Sequence, residues 1–132
     1  MALARKTIIS TKVLELLNSA TAPLSINQLM TQLANLGLHP NKTTLYRLMD
    51  KLVTYHKVSL ITLNNGKSYF ELIKNRHHHH FFCNTCSELF CLKQCHVDMF
   101  NINLDQLLPT KEFQITSHEF TLYGICESCR NQ

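Results

Sequence analysis

A short segment of the sequence, HHHHFFCNTC at residues 77–86, concentrates side chains that bind transition metals. It ends in a CxxC pair, Cys83 and Cys86, and a second pair, Cys126 and Cys129, lies near the end of the 132-residue sequence. Four thiolates form the closed tetrahedral ligand set of structural zinc sites. The cysteines therefore predict a structural zinc site, although the segment between the pairs exceeds the usual loop of a zinc ribbon.

The four consecutive histidines are predicted to be extended, because they follow a β-rich segment and precede two phenylalanines. Successive side chains of a strand point to opposite faces. His77 and His79 would then face one way, and His78 and His80 the other. Residues two apart on one face lie roughly 6.6 Å from each other, a span that two imidazoles can close around one metal. The run predicts one half-site on each face.

Neighbouring strands can complete the half-site formed by His78 and His80. If Asn84-Thr85 is the turn of an antiparallel hairpin, Cys91 lies directly opposite His78, with Cβ atoms about 5 Å apart. Glu71, on the preceding strand, is the nearest candidate carboxylate. We expect these four side chains to form one metal site.

The other half-site, His77 and His79, needs ligands from further along the sequence. Asp98 lies in a predicted helix, and His118 lies in the apolar segment before the second CxxC pair. These two are the candidates for completing the second site. Cys95 lies near candidate ligands but matches no half-site, and we expect it to be a buried or spare thiol.

The residues before the histidines favour a small helical DNA-binding unit. Amphipathic helices are predicted to begin near Ile8, after Ser25 and after Asn41, and Ser25 with Gln28 has the pattern of a capping box. A hairpin with Asn65-Gly66 at its turn follows. Three helices and a two-stranded hairpin are the order of a winged helix-turn-helix domain.

The third helix would be the recognition helix, which enters the major groove. It is predicted to bury an apolar stripe and to expose hydroxyls, a phenol and cations, which suit phosphate and base-edge contacts. The candidate DNA contacts are Thr43, Thr44, Tyr46, Arg47 and Lys51. A helical module with an ordinary polar outer face would explain the same pattern without DNA.

The net charge also differs between the helical part of the chain and the part that contains the cysteines and consecutive histidines. Residues 1–76 carry ten Lys/Arg and three Asp/Glu, a net charge of +7, and residues 77–132 carry three and six, a net charge of −3. A basic half beside an acidic, Cys/His-rich half favours one part that binds a polyanion and one that binds metal. The prediction is an α+β fold with a winged-helix domain at 1–74 and a metal-binding domain with an antiparallel sheet at 75–132.

Composition excludes several classes of protein. No run approaches the roughly 18 apolar residues of a membrane span, and the N-terminus lacks the features of a signal peptide. CxxC pairs beside histidines favour metal thiolates in a reducing, cytoplasmic compartment over secreted disulfides. The motifs HExxH and H-x-E before CxxC are absent, which argues against a zinc hydrolase or deaminase. A zinc-storage protein without operator specificity is the alternative to a DNA-binding regulator.

Together these features resemble the ferric uptake regulator family of bacterial metalloregulators over almost the whole chain. The most specific segments are TTLYRLMDKL, GKSYFEL, HHHHFFCNTC and SHEFTLYGICESC. The resemblance implies a homodimer that binds a palindromic double-stranded DNA operator and is not an enzyme. Each subunit would have a winged helix and a C-terminal α/β dimerisation domain.

The resemblance implies the same grouping of functional residues. Tyr46 and Arg47 fall on the DNA contacts of the recognition helix, and the four cysteines fall on the structural zinc site. The sensor site near the hinge between the domains falls on Glu71, His78, His80 and Cys91. The site in the dimerisation domain falls on His77, His79, Asp98 and His118.

Some positions depart from the pattern of the family. Its N-terminal arginine contact is missing, so Arg5, Lys6 or Lys12 would have to replace it, and Pro23 stands where a sensor histidine is usual. His79 stands where iron sensors carry aspartate. This imidazole and the thiolate in the hinge site favour zinc over ferrous iron. The resemblance is therefore strongest to the zinc uptake regulator branch of the family, which implies a zinc-dependent repressor of metal-uptake genes, with an iron-responsive repressor as the alternative. The expected cofactors are structural zinc and a regulatory zinc or ferrous ion.

Overall fold

A computed structural model describes residues 7–74, 79–92, 95, 97 and 100–131. The chain forms two compact units, Met1–Arg76 and His77–Gln132, a division two residues beyond the predicted boundary. Among the helices within the described ranges, none combines the length and the apolar character needed to cross a bilayer.

The first unit begins with three helices, and side-chain caps set where the second and third begin. The helices are α1 (Ile8–Ser19), α2 (Ile26–Asn35) and α3 (Lys42–Thr54). Ser25 caps α2 through the predicted capping box, and Asn41 caps α3 by accepting a backbone N–H at 2.8 Å. Such caps satisfy N–H groups that the first turn of a helix leaves without partners. The sequence-predicted helix starts are therefore confirmed.

The predicted hairpin follows the three helices. β1 (Val58–Thr62) and β2 (Ser68–Leu72) pair antiparallel. Gly66 in the turn has a φ of 86°, a backbone conformation that favours glycine. Leu24 and Phe70 exchange two backbone hydrogen bonds of 2.8 Å, which attach the segment before α2 to the hairpin.

One hydrophobic core joins the helices to the hairpin. Leu29 and Leu33 of α2 are fully buried, as are Leu45, Met49 and Leu52 of α3. Their spacing of three and four residues places each set on one helix face. Burial of one face of α3 leaves its opposite face available for contacts outside the unit.

The second unit contains a three-stranded mixed sheet. β3 (His80–Cys83) lies between β4 (Leu89–Cys91), with which it pairs antiparallel, and β5 (Thr121–Gly124), with which it pairs parallel. A short 3-10 helix (Leu104–Leu107) precedes β5, and α4 (Glu127–Arg130) follows it. The α+β class is confirmed, and the predicted antiparallel pair is present. The parallel third strand makes the sheet mixed.

The register of β3 and β4 differs by two residues from the prediction. Cys91 pairs with His80, and the expectation that it pairs with His78 was wrong. The turn is longer than the two residues assumed, since Ser87 adopts a φ of 64° and donates its N–H to the carbonyl of Cys83 at 2.9 Å. A two-residue shift keeps every side chain on its predicted face, whereas a one-residue shift would reverse them all.

Candidate metal sites and DNA-binding helix

The two CxxC pairs meet because β3 and β5 are parallel neighbours. Cys83 is aligned with Gly124, so the two strands end at the same edge of the sheet. Cys86 lies in the turn after β3, and Cys126 and Cys129 lie at the start of α4 and within it. The ligand atoms of the four cysteines lie within 4.8 Å of one another. Parallel pairing thus brings together thiols that are distant in the sequence.

The spacing of the sulfur atoms fits a tetrahedral zinc ion. Cys86 Sγ lies 3.8 Å from Cys126 Sγ. Four sulfurs around zinc at Zn–S distances of about 2.3 Å are separated from one another by about 3.8 Å. The six cysteines, all among the described residues, form no disulfide. The predicted four-cysteine set therefore has both the donor atoms and the size of a structural zinc site.

Backbone N–H groups favour ionisation at one of these sulfurs. The N–H groups of Cys86 and Cys126 each donate to Cys83 Sγ at 3.4 Å. They lower the pKa of the Cys83 thiol from 9.0 to about 6. The hydrogen bond between the side chains of Cys129 and Cys126 instead raises the pKa of Cys129 to about 12. A bound cation is needed for all four sulfurs to be thiolates together.

His80 and Cys91 form a second group of candidate ligands. They are aligned across β3 and β4, and their ligand atoms lie within 4.8 Å of each other. His80 is buried and Cys91 is half-buried. Of the other predicted members of this site, His78 lies outside the described residues. Glu71 lies on β2 in the first unit, aligned with Ser59.

His79, Cys95 and His118 form a third group. Cys95 Sγ lies 3.3 Å from Nε2 of His79 and 3.2 Å from Nε2 of His118. The structure brings the two histidines together as predicted, while His77 and Asp98 lie outside the described residues. Cys95 was expected to be a buried or spare thiol, and it is buried, with its sulfur between the two imidazoles.

Phe120 fixes the orientation of the His79 ring. The two rings stack with centroids 3.9 Å apart, and the backbone N–H of Phe120 donates to Nδ1 of His79 at 3.3 Å. Since Nδ1 accepts this hydrogen bond, the neutral ring carries its proton on Nε2, which faces Cys95. A metal ion at Nε2 would have to displace this proton.

Sequence reasoning missed Cys95 because no ligand pattern includes it. The backbone reveals its position: the N–H of Leu92, directly after β4, donates to the carbonyl of His79 at 2.8 Å. Leu92, three residues before Cys95, therefore lies beside the residue that precedes β3. Only the long-range pairing of the sheet places Cys95 close to His79.

The outer face of α3 is exposed, as expected for a recognition helix. All five candidate DNA contacts lie on exposed positions: Thr43, Thr44, Tyr46, Arg47 and Lys51. Lys12 of α1, a candidate for replacing the missing arginine contact, forms an ion pair with Glu15 at 3.1 Å. The other candidates, Arg5 and Lys6, lie outside the described residues.

Comparison with known proteins identifies the family. The model of the ferric uptake regulator family matches residues 4–123. The ferric uptake regulation protein of Vibrio cholerae is 29% identical over 118 residues, which cover 89% of this chain and 77% of that protein. A crystal structure of the Vibrio cholerae ferric uptake regulator matches with a TM-score of 0.77 at 27% identity and covers 92% of each chain. The ferric uptake regulator of Francisella tularensis, with iron, shares the fold, with a TM-score of 0.80 at 20% identity and 98% of each chain covered. This chain belongs to the ferric uptake regulator family, whose members are dimeric, metal-responsive, DNA-binding regulators of transcription and not enzymes.

Proposed function

We propose that this chain is a zinc-dependent repressor of metal-uptake genes, which binds a palindromic operator as a homodimer in the cytoplasm. The observation that carries the choice of metal is the alignment of His80 with Cys91. An imidazole and a thiolate at one site favour zinc, whereas ferrous iron accepts more carboxylate ligands. His79 and Cys95, which supply nitrogen and sulfur near each other, support the same choice.

The proposed sensor site consists of Glu71, His78, His80 and Cys91. Glu71 belongs to the hairpin of the first unit and the other three belong to the second unit. Joint ligation by these residues would favour one arrangement of the two units over others. A dimer contacts two half-sites only when its recognition helices are spaced to match them. A metal ion that binds this arrangement more tightly than the others raises the affinity for the operator. The gain in operator-binding free energy is set by the difference in metal-binding free energy between the arrangements.

The proposed DNA contacts lie on α3. Arg47 and Tyr46 are assigned to base edges, and Lys51 and the hydroxyls of Thr43 and Thr44 to phosphates. All five are exposed, while the opposite face of the helix lies in the core. The net charge of +7 on residues 1–76 supports binding of this unit to a polyanion.

An iron-responsive repressor is the second candidate. It is favoured by the names of the relatives, which are ferric uptake regulation proteins at 25–30% identity, and by the carboxylate of Glu71. A single oxygen ligand beside two imidazoles and a thiolate still gives a softer donor set than iron sites prefer. Zinc is therefore the first choice.

Metal-dependent operator binding tests the proposal. The dimer, with its structural zinc retained, would be titrated with zinc and, without oxygen, with ferrous iron, against a palindromic operator and a scrambled duplex. We expect specific binding at lower free zinc than free iron. Specific binding driven by iron at lower concentrations would establish the alternative. Equal binding to both duplexes at every metal concentration would favour a zinc-storage protein.

A further inference from the structure

We infer that Cys95 is a metal ligand, and that with His79 and His118 it forms a nitrogen–sulfur site that prefers zinc over ferrous iron. This inference rests on the proposed metal-responsive function, but not on the assignment of the sensor site to Cys91. It adds a thiolate to a group for which the sequence indicated only imidazoles and a carboxylate.

The distances between the three side chains fit a shared metal ion. Zinc with Zn–S of about 2.3 Å and Zn–N of about 2.05 Å in tetrahedral geometry places sulfur and nitrogen about 3.6 Å apart. The observed distances from Cys95 Sγ to the two Nε2 atoms, 3.3 and 3.2 Å, are within a few tenths of an ångström of this value. A small outward movement of the sulfur accommodates the ion.

Burial and packing hold the group in place. His79 is 1% exposed and Cys95 is 7% exposed. The ring of Phe120 stacks on His79, and the imidazoles of His79 and His118 have centroids 5.0 Å apart. His118 is half-buried, and its Nε2 and that of His79 both contact Cys95 Sγ. A metal ion among the three atoms would replace these contacts with ligand bonds.

The sheet explains why this group is separate from the other two. His79 directly precedes β3 and His118 lies shortly before β5, so parallel pairing brings them together at the edge opposite the four cysteines. His80, the next residue along β3, is aligned with Cys91. Since adjacent strand residues point to opposite faces, Cys91 and Cys95 serve different groups. Each of the two histidine-containing groups then receives one thiolate.

The donor set determines which metal the site takes. Two imidazoles and one thiolate are the ligand types of zinc sites, and they leave one tetrahedral position for a fourth ligand or water. Metal binding requires the Cys95 thiol and the Nε2 nitrogen of His79 to lose their protons to solvent. Replacement of the thiolate by a carboxylate would shift the preference toward harder ions such as manganese or ferrous iron.

Cobalt spectroscopy of the full-length dimer tests the inference. The Cys91→Ser variant, which retains its structural zinc, leaves Cys95 as the only cysteine outside the four-cysteine set. Added Co²⁺ should give a thiolate-to-cobalt charge-transfer band in this variant and none in Cys91→Ser/Cys95→Ser. Cys91→Ser/Cys95→Asp should still bind cobalt without the band. Its preference for zinc over manganese should fall by at least about tenfold.

Two results would overturn the assignment of Cys95. One is that Cys91→Ser binds cobalt outside the four-cysteine set but shows no charge-transfer band. This result is obtained with Cys95 unchanged. The other is survival of the band in Cys91→Ser/Cys95→Ser with one zinc per chain still present. Neither measurement involves DNA, so failure of the proposed repressor function would appear separately, in the operator titration.

Discussion

His80 and Cys91 are direct partners in the antiparallel pair of β3 and β4. Their separation is set by backbone hydrogen bonds of the sheet, so the imidazole and the thiol are held together before any metal arrives. A ligand pair that is already positioned loses little conformational freedom on binding. This pair can therefore bind a metal ion at little entropic cost.

The first prediction concerns Cys91 as a sensor ligand. Cys91→Ser should keep the fold, the dimer and the structural zinc, because Cys91 is half-buried at the end of a strand. It should need far more zinc to bind the operator. A roughly 100-fold metal response corresponds to about 2.7 kcal/mol of coupling, and most of it should disappear. Operator affinity measured against buffered free zinc checks this expectation.

His118→Ala is the matched control for Cys91→Ser, since it removes a candidate ligand from the group of His79, Cys95 and His118. It should leave most of the zinc response in place. The opposite outcome, in which Cys91→Ser responds like the parent and His118→Ala does not respond, would move the switch to the group around Cys95.

The second prediction concerns the structural site. Cys126→Ser should lose about one zinc per chain and leave an unstable or monomeric protein, because structural zinc contributes directly to folding. Cys126 also donates its N–H to Cys83 at the centre of the set. Metal content, thermal unfolding and sedimentation check this expectation, with Cys95→Ser as a control that should retain the zinc. A stable Cys126→Ser dimer that still binds the operator contradicts the assignment.

The third prediction is release of this zinc in acid. The pKa of Cys83 in the folded chain, about 6, is lower than its ordinary value of 9.0. Ionised Cys83 therefore stabilises the fold fully above pH 9.0, and this contribution is lost as the pH falls through about 6. Bound zinc favours the thiolates further, so zinc release and unfolding of the second unit should occur together below pH 6. Release well above that pH, or without unfolding, argues against this assignment.

Local patterns in the sequence predicted the first unit well. Ser25, Asn41 and Gly66 act through their own or nearby backbone groups, so a few neighbouring residues determine where the helices begin and where the hairpin turns. Helical periodicity predicted a buried stripe of Leu45, Leu48, Met49 and Leu52 on α3, and all but Leu48, which is half-buried, are buried. These features depend on short-range interactions, which a single sequence displays directly.

The second unit depends on long-range pairing, and prediction was less complete there. The alternation of side-chain direction along a strand predicted that His79 and His80 belong to different metal sites, and the structure places them in different groups of candidate ligands. The parallel pairing of β5 and the longer turn after Cys83 left no clear local pattern. The length of this turn sets the register of β3 and β4. Cys91 was therefore paired with His78 instead of His80, although its side chain was placed on the correct face of the sheet. Cys95 was missed because its position depends on the path of the chain after β4.

The fourth prediction assigns Arg47 to base recognition. Arg47 is exposed on α3, and Leu45 and Met49 hold the helix by the opposite face. Arg47→Ala should weaken operator binding by roughly 1–3 kcal/mol and reduce discrimination against one base pair, with dimerisation intact. Affinities for the operator and for single-base variants of it, at one fixed salt concentration, check both effects. Equal losses on operator and scrambled DNA would make Arg47 a phosphate contact instead.

The last prediction assigns Lys51 to the phosphate backbone. Lys51 lies one helical turn beyond Arg47 and is also exposed, so it extends the same exposed face of α3. A phosphate contact carries no sequence information, and its loss removes the release of about one counterion. Lys51→Ala should therefore weaken binding to operator and scrambled DNA alike and lower the salt slope by about one unit. Lys111→Ala, which removes the same charge from an exposed position in the second unit, should change neither quantity. If Arg47→Ala and Lys51→Ala both bind the operator like the parent, α3 is not the recognition helix.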